Sequence, residues 1–184
     1  NVSYRNGDHG YDNSATINTN YIGNIAAQND HDGISIEATA SNATVFNCIF
    51  AMNGVQAGTL QVPGGVREMF VDSTLGFQSD YNVIVGLPPY GNVGAGYSEN
   101  YRRLVELRAP AAFSGRVHFH TVQGYQDSTY ALDENSNGGL PVFADSASGD
   151  FRPWWASAAI DGADTTVPGW TETDFSGQAR HDCT

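Results

Sequence analysis

The chain has 184 residues, 20 acidic against 8 basic, a net charge of −12 and two cysteines, a length that suits one domain with a core of ordinary size. Every basic residue is arginine, so no polybasic tract exists to gather phosphates, and nucleic acid and anionic membrane surfaces are excluded as expected partners. No apolar run approaches the roughly 18 residues a membrane span needs, and membrane insertion is not expected.

From the first residues the chain repeats itself. Asn6-Gly7-Asp8-His9-Gly10, Asn29-Asp30-His31-Asp32-Gly33 and Asn53-Gly54-Val55-Gln56-Ala57-Gly58 each run from an asparagine to a glycine. The asparagines are 23 and 24 residues apart and the glycines 23 and 25. After each glycine comes an alternating stretch such as Ile34-Ser35-Ile36, then a polar turn, then a second stretch such as Ala43-Thr44-Val45-Phe46-Asn47-Cys48-Ile49. Short strands with Gly and Asn at the corners, and no helical periodicity, describe one coil of a solenoid. The alternation predicts Val45 and Ile49 pointing inward above Tyr21 and Ile25. Asparagine suits such corners because it tolerates left-handed backbone, and stacked amides can bond from coil to coil. Asn24, Cys48 and Asn82 fall in one such column, with Cys48 read as a small buried thiol. Cys48 and Cys183 match neither a disulfide framework nor a zinc spacing, which leaves the redox compartment open.

Residues 1–86 therefore read as about three and a half coils, and 87–184 as a closing segment of the same domain. Residues 87–97 form a Gly- and Pro-rich loop. Ser98 is placed to cap a short helix through Tyr101, Leu104, Val105 and Leu107 to about Arg108, with Pro110 as its stop. Residues 116–122 alternate as a strand carrying His118 and His120 on one face.

The closing half carries a resemblance. The stretch Asp72-Ser73-Thr74-Leu75-Gly76-Phe77-Gln78-Ser79-Asp80-Tyr81-Asn82 is followed in order by Leu140-Pro141-Val142-Phe143, Gly149-Asp150-Phe151-Arg152, Ser157-Ala158-Ala159-Ile160-Asp161-Gly162-Ala163 and Asp174-Phe175-Ser176-Gly177-Gln178-Ala179-Arg180. With the repeat, this set resembles the last coil and closing segment of right-handed parallel β-helix proteins of the pectate-lyase-like kind. Two places depart from that pattern: Ala158 stands where the family has proline, and Pro153-Trp154-Trp155 where it has an aliphatic residue.

The resemblance implies an all-β chain, a right-handed parallel β-helix of about three to four coils with a loop-rich cap and one short helix. It implies a C-terminal portion of a secreted or cell-surface protein that binds or processes polysaccharide, with this portion mainly structural. If the whole is an enzyme, it is a polysaccharide lyase, hydrolase or epimerase with most of its site before Asn1. Lyases of this architecture use a Lys or Arg base beside calcium, and no lysine occurs here; the paired aspartates, Gly-His-Gly and Arg-Ile-Lys segments of polygalacturonases are absent too. The alternative is a structural or adhesive protein whose coils stack between chains, through an open N-terminal coil, into a dimer or filament.

The candidate chemistry gathers at the acidic corners. The 23-residue offset aligns Asp8 with His31 and His9 with Asp32. Asp8, Asp30 and Asp32 are candidate ligands for calcium, the one cofactor the pattern suggests, since it takes hard oxygen donors. Asp30, His31 and Asp32 are alternatively a candidate acid–base group, faintly similar to the Asp-Pro-His-Asp segment of alginate epimerases but without its proline. Solvated corner residues account for the same pattern. Trp154, Trp155 and Trp170 are candidates for stacking on sugar faces, or for filling the cap.

Overall fold

The computed structural model describes residues 1–54, 66–86, 102–108, 115–128, 130, 132–173 and 177–179. The predicted loop at 87–97, the Ser98 cap, Pro110 and most of the Asp174–Arg180 segment lie outside them. The described chain is mostly β. Strands come in successive threes: β1 (Val2–Tyr4), β2 (Tyr11–Asn13) and β3 (Asn20–Ile22); then β4 (Ile25–Ala27), β5 (Ile34–Ile36) and β6 (Thr44–Phe46); then β7 (Ile49–Ala51), β8 (Val66–Val71) and β9 (Gln78–Asp80); then β10 (Val83–Val85) and β11 (Arg102–Arg108). Each of β1 to β8 pairs in parallel with the third strand after it. This builds the sheets β1-β4-β7-β10 and β3-β6-β9, and a third in the order β2-β5-β8-β11 that β12 (Arg116–Phe119) closes in antiparallel.

The early register follows the offset read from the sequence, with Ile25 opposite Val2, Ile34 opposite Tyr11 and Val45 opposite Tyr21. Left-handed backbone recurs at equivalent corners. Arg5, Gln28 and Met52 share φ of 52–57°, as do Asn18 and Asn42 with Gly76, and Gly23 with Asn47 and Tyr81, all between 52° and 65°. Asparagine and glycine were expected there. Gln28, Met52 and Tyr81 show that position in the fold outweighs the roughly 1–2 kcal/mol preference of L-residues against this region.

The main core lies between the sheets and includes Ala26, Ile34, Ile36, Val45, Phe50, Met69, Val71, Ile84, Val105 and Leu107. Burying each large aliphatic side chain contributes about 1.5–3 kcal/mol. Ile49 departs from expectation. It belongs with Ala51, Val83 and Val85 to a second cluster, against Ile25 of β4 and Phe143 and Ala159 of the closing segment. The strands β7 and β10 are buried on both faces, so strict alternation cannot say which residue of Ile49-Phe50 faces the main core.

The helix expected over residues 98–108 is not formed in its described part, residues 102–108. Arg102–Arg108 is strand β11, paired with β8 from Arg102 opposite Val66 to Leu107 opposite Val71. Leu104, Val105 and Leu107 satisfy a helical period and a strand equally over so short a run, and pairing with a ready sheet edge decides it. Among the described residues the helix is α1 (Val122–Gln126), capped by Thr121, whose hydroxyl accepts from Gly124 N–H, and it turns Val122 and Tyr125 into the core. A final antiparallel pair, β13 (Phe143–Asp145) and β14 (Asp150–Pro153), packs Phe143 and Phe151 with ring centroids 5.1 Å apart.

Two buried polar ladders tie the strands together. In one, Asn6 donates to Asn29 Oδ1, Asn29 to Asn53 Oδ1, and Asn53 to the carboxylate of Glu68, each through both backbone N–H and side-chain amide. In the other, Asn1 donates to Asn24, Cys48 N–H to Asn82 Oδ1, and the Asn82 amide to Asp133. Each ladder thus ends on a buried carboxylate. Cys48, without an amide, donates its thiol to the carbonyls of Tyr21 and Phe46.

Candidate functional site

The turns that lead into β2 and β5 bring the two acidic corners one above the other. His31 N–H donates to the Asp8 carbonyl, Asp30 N–H to the Asn6 carbonyl and Gly10 N–H to the Asp32 carbonyl. The glycines are required by closeness: a Cβ on Gly10 would stand 2.5 Å from the Gly33 carbonyl, and one on Gly33 2.6 Å from the Glu68 carbonyl.

At this corner His9 Nε2 lies 3.5 Å from Asp8 Oδ1, and His31 Nδ1 lies 4.0 Å from the same oxygen. The two imidazoles meet edge to face, centroids 5.2 Å apart. The other nitrogen of His9, Nδ1, is 3.4 Å from Asp32 Oδ2. That buried carboxylate is the main reason the His9 pKa is raised, against the opposing effect of burial.

Asp32 does not face solvent. Its two oxygens accept from Arg67 Nε and Nη2, both at 2.9 Å, and Oδ1 also accepts from the Arg67 N–H. The guanidinium continues to Glu106 Oε1 at 3.2 Å and lies 3.8 Å over the Phe70 ring. Glu106, fully buried, also meets Arg116 Nη1 and His118 Nδ1, each at 3.3 Å. Arg116 and Arg108 share Asp72. Burial acts against the Arg67 charge, but Asp32 and Glu106 outweigh it and raise its pKa. The result is a continuous line of ionisable groups from His31 through Asp8, His9, Asp32, Arg67 and Glu106 to His118.

Of the acidic residues expected to gather at a cation, Asp8 converges with histidines, Asp32 is held by Arg67, and Asp30 stands outside the converging set. Among the described residues Asp8, His9 and His31 offer one donor atom each, all within 4.8 Å of one another. His118 lies on β12 opposite Glu106, and His120 is exposed just past the strand end. Trp154 and Trp155 are 53% and 80% exposed, whereas Trp170 is half-buried. Arg67 and Glu106 were missed from sequence. Their signal was charge inside two largely apolar runs, Arg67-Glu68 within Val66–Val71 and Glu106 within Leu104–Leu107, which reads as a solvated face until the strands are paired.

A scan against family models, a search of curated proteins and a search of solved structures each return no match to this chain.

Proposed function

We propose that the chain is a segment of a secreted or cell-surface right-handed parallel β-helix protein that binds polysaccharide, with residues 87–184 as its cap. The β-helix reading is supported by strands that return to the same sheet every third element and by the asparagine ladders that follow that return. Right-handed crossovers are the rule for parallel strands of one sheet.

The observation that carries polysaccharide binding is the exposed pair Trp154-Trp155. Neighbouring aromatics of the closing segment, Phe143 and Phe151, are packed against each other, while these indoles stand in solvent on a backbone held by Trp154 N–H to the Val142 carbonyl and Ser157 N–H to the Trp154 carbonyl. An indole face presented this way stacks on the apolar face of a pyranose. The test is affinity electrophoresis against neutral and acidic polysaccharides with the parent chain and Trp154→Ala/Trp155→Ala. Retardation by at least one polysaccharide, lost in the double variant, is the expected result. No retardation, or retardation unchanged by the substitutions, overturns the reading.

A second reading, end-on stacking between copies, is favoured by one observation: Val2 on β1 and Ile17 beside β3 are 40% and 60% exposed where, among the described residues, the sheets have no further strand. Light scattering separates the two, since stacking gives a concentration-dependent mass that Ile17→Asp abolishes.

A further inference from the structure

We propose that Asp8, His9 and His31 form a three-ligand site for a transition-metal ion of the zinc type, with its fourth position open to solvent. The donor set is two imidazole nitrogens and one carboxylate oxygen, which suits zinc and its neighbours; calcium takes six to eight oxygens. The buried carboxylate behind His9, Asp32, has both of its oxygens accepting from Arg67.

The spacing is close to what such an ion needs. Metal–ligand distances of about 2.0–2.2 Å in a tetrahedron put donor atoms roughly 3.3–3.6 Å apart. His9 Nε2 and His31 Nδ1 stand 3.5 and 4.0 Å from Asp8 Oδ1. All three donor atoms lie within 4.8 Å of one another, and closing them onto one ion takes small movements of Asp8 and His31, whose side chains are 77% and 30% exposed.

The independent observation is the buried support behind His9. A metal-bound imidazole commonly gives its second nitrogen to a carboxylate, which sets the tautomer and aims the ligand nitrogen outward. Asp32 is 1% exposed, is held by three hydrogen bonds from Arg67, and lies 3.4 Å from His9 Nδ1 on the side away from Asp8. Solvated corner residues would need no such arrangement. The Asp8 and His31 turns are also held in register by the His31 N–H to Asp8 carbonyl bond. Three protein ligands with one exposed flank describe a site that keeps a coordination position for water or an incoming oxygen donor.

The experiment is a titration of the untagged, chelator-stripped full chain with zinc chloride by calorimetry, repeated with cobalt(II) to read d–d absorption. One zinc per chain, a raised Tm, and visible cobalt bands of tetrahedral intensity are expected, with calcium chloride giving no Tm shift. His9→Ala and His31→Ala each weaken zinc binding at least tenfold, while His118→Ala leaves it unchanged. Asp32→Asn weakens it about 10- to 100-fold through His9. Circular dichroism and metal-free Tm confirm that each variant folds, and Asp8→Asn, at an exposed position, serves if a histidine variant does not. Absent zinc binding, or binding that survives both histidine substitutions, or His118→Ala acting as strongly as His9→Ala, overturns the proposal.

Discussion

Asn53 donates to both oxygens of Glu68, its backbone N–H to Oε1 at 3.0 Å and its side-chain amide to Oε2 at 2.6 Å. Asn29, before it in that ladder, receives two donors and passes two on, so the last member must offer acceptors in place of a further amide. A carboxyl group offers two acceptor oxygens, and Asp133 plays the same part for Asn82 at 2.9 Å.

Burial pushes the Glu68 carboxyl up to about 8, against the two Asn53 donors that favour its anion. In the folded chain Glu68 therefore keeps its proton to about pH 8, whereas in the unfolded chain it loses it near the ordinary value of 4.5. Between these limits the unfolded state binds fewer protons. The stability tied to this group is full below about pH 4.5 and is lost as pH rises through about 8, a change on the order of 4–5 kcal/mol. Urea unfolding from pH 5 to pH 8.5 should show stability falling, and Glu68→Gln should flatten the slope. An unchanged slope in that variant refutes the assignment.

Arg67→Met should destabilise the fold by roughly 3–5 kcal/mol, because the buried Asp32 loses both guanidinium hydrogen bonds and the charge that faces it, keeping only the backbone N–H of residue 67. The effect is on Asp32 more than on Glu106, which keeps Arg116 and His118 as neighbours. Arg67→Met combined with Asp32→Leu should recover part of the loss, since no unpaired charge is then left in the interior. Denaturation midpoints of the two single variants and the double complete a cycle that measures the coupling.

Gly33→Ala should cost more than the few tenths of a kcal/mol of an ordinary surface change. Its Cβ would be 2.6 Å from the Glu68 carbonyl and 2.7 Å from Asn53 Nδ2, neither of which yields without breaking the ladder. A loss of about 2 kcal/mol or more is expected. Gly7→Ala, whose nearest atom would be 3.9 Å away, serves as the control with little change. Equal melting temperatures for the two variants would contradict the close approach.

Cys48 should be inert. Complete burial pushes its thiol up to about 12, and its hydrogen goes to backbone carbonyls. In a Cys183→Ser background, dithionitrobenzoate at pH 8 should label Cys48 only on unfolding. Rapid labelling of the folded chain would show that the second ladder opens at this point.

The sequence alone determined the repeat. Glycines and asparagines at 23- and 24-residue spacing place Gly10 under Gly33 and Asn29 under Asn53, because close approach and amide stacking each restrict a position to one residue type whatever surrounds it. The acidic corners could be aligned for the same reason: the offset that stacks Gly10 on Gly33 carries Asp8 to His31 and His9 to Asp32. Only the tertiary structure decided the partners beyond this regular stretch. Ile34 pairs with Met69, and Met69 with Val105, at separations of 35 and 36 residues rather than 23. Self-similarity cannot be seen across unequal segments, so neither the strand over Arg102–Arg108 nor the meeting of Arg67 with Asp32 and Glu106 was legible. The same holds for Ile49, whose inward or outward side rests on whether the closing segment covers it. A side chain's neighbours within a repeat follow from backbone period, whereas a charge buried between distant strands is a property of the assembled sheet.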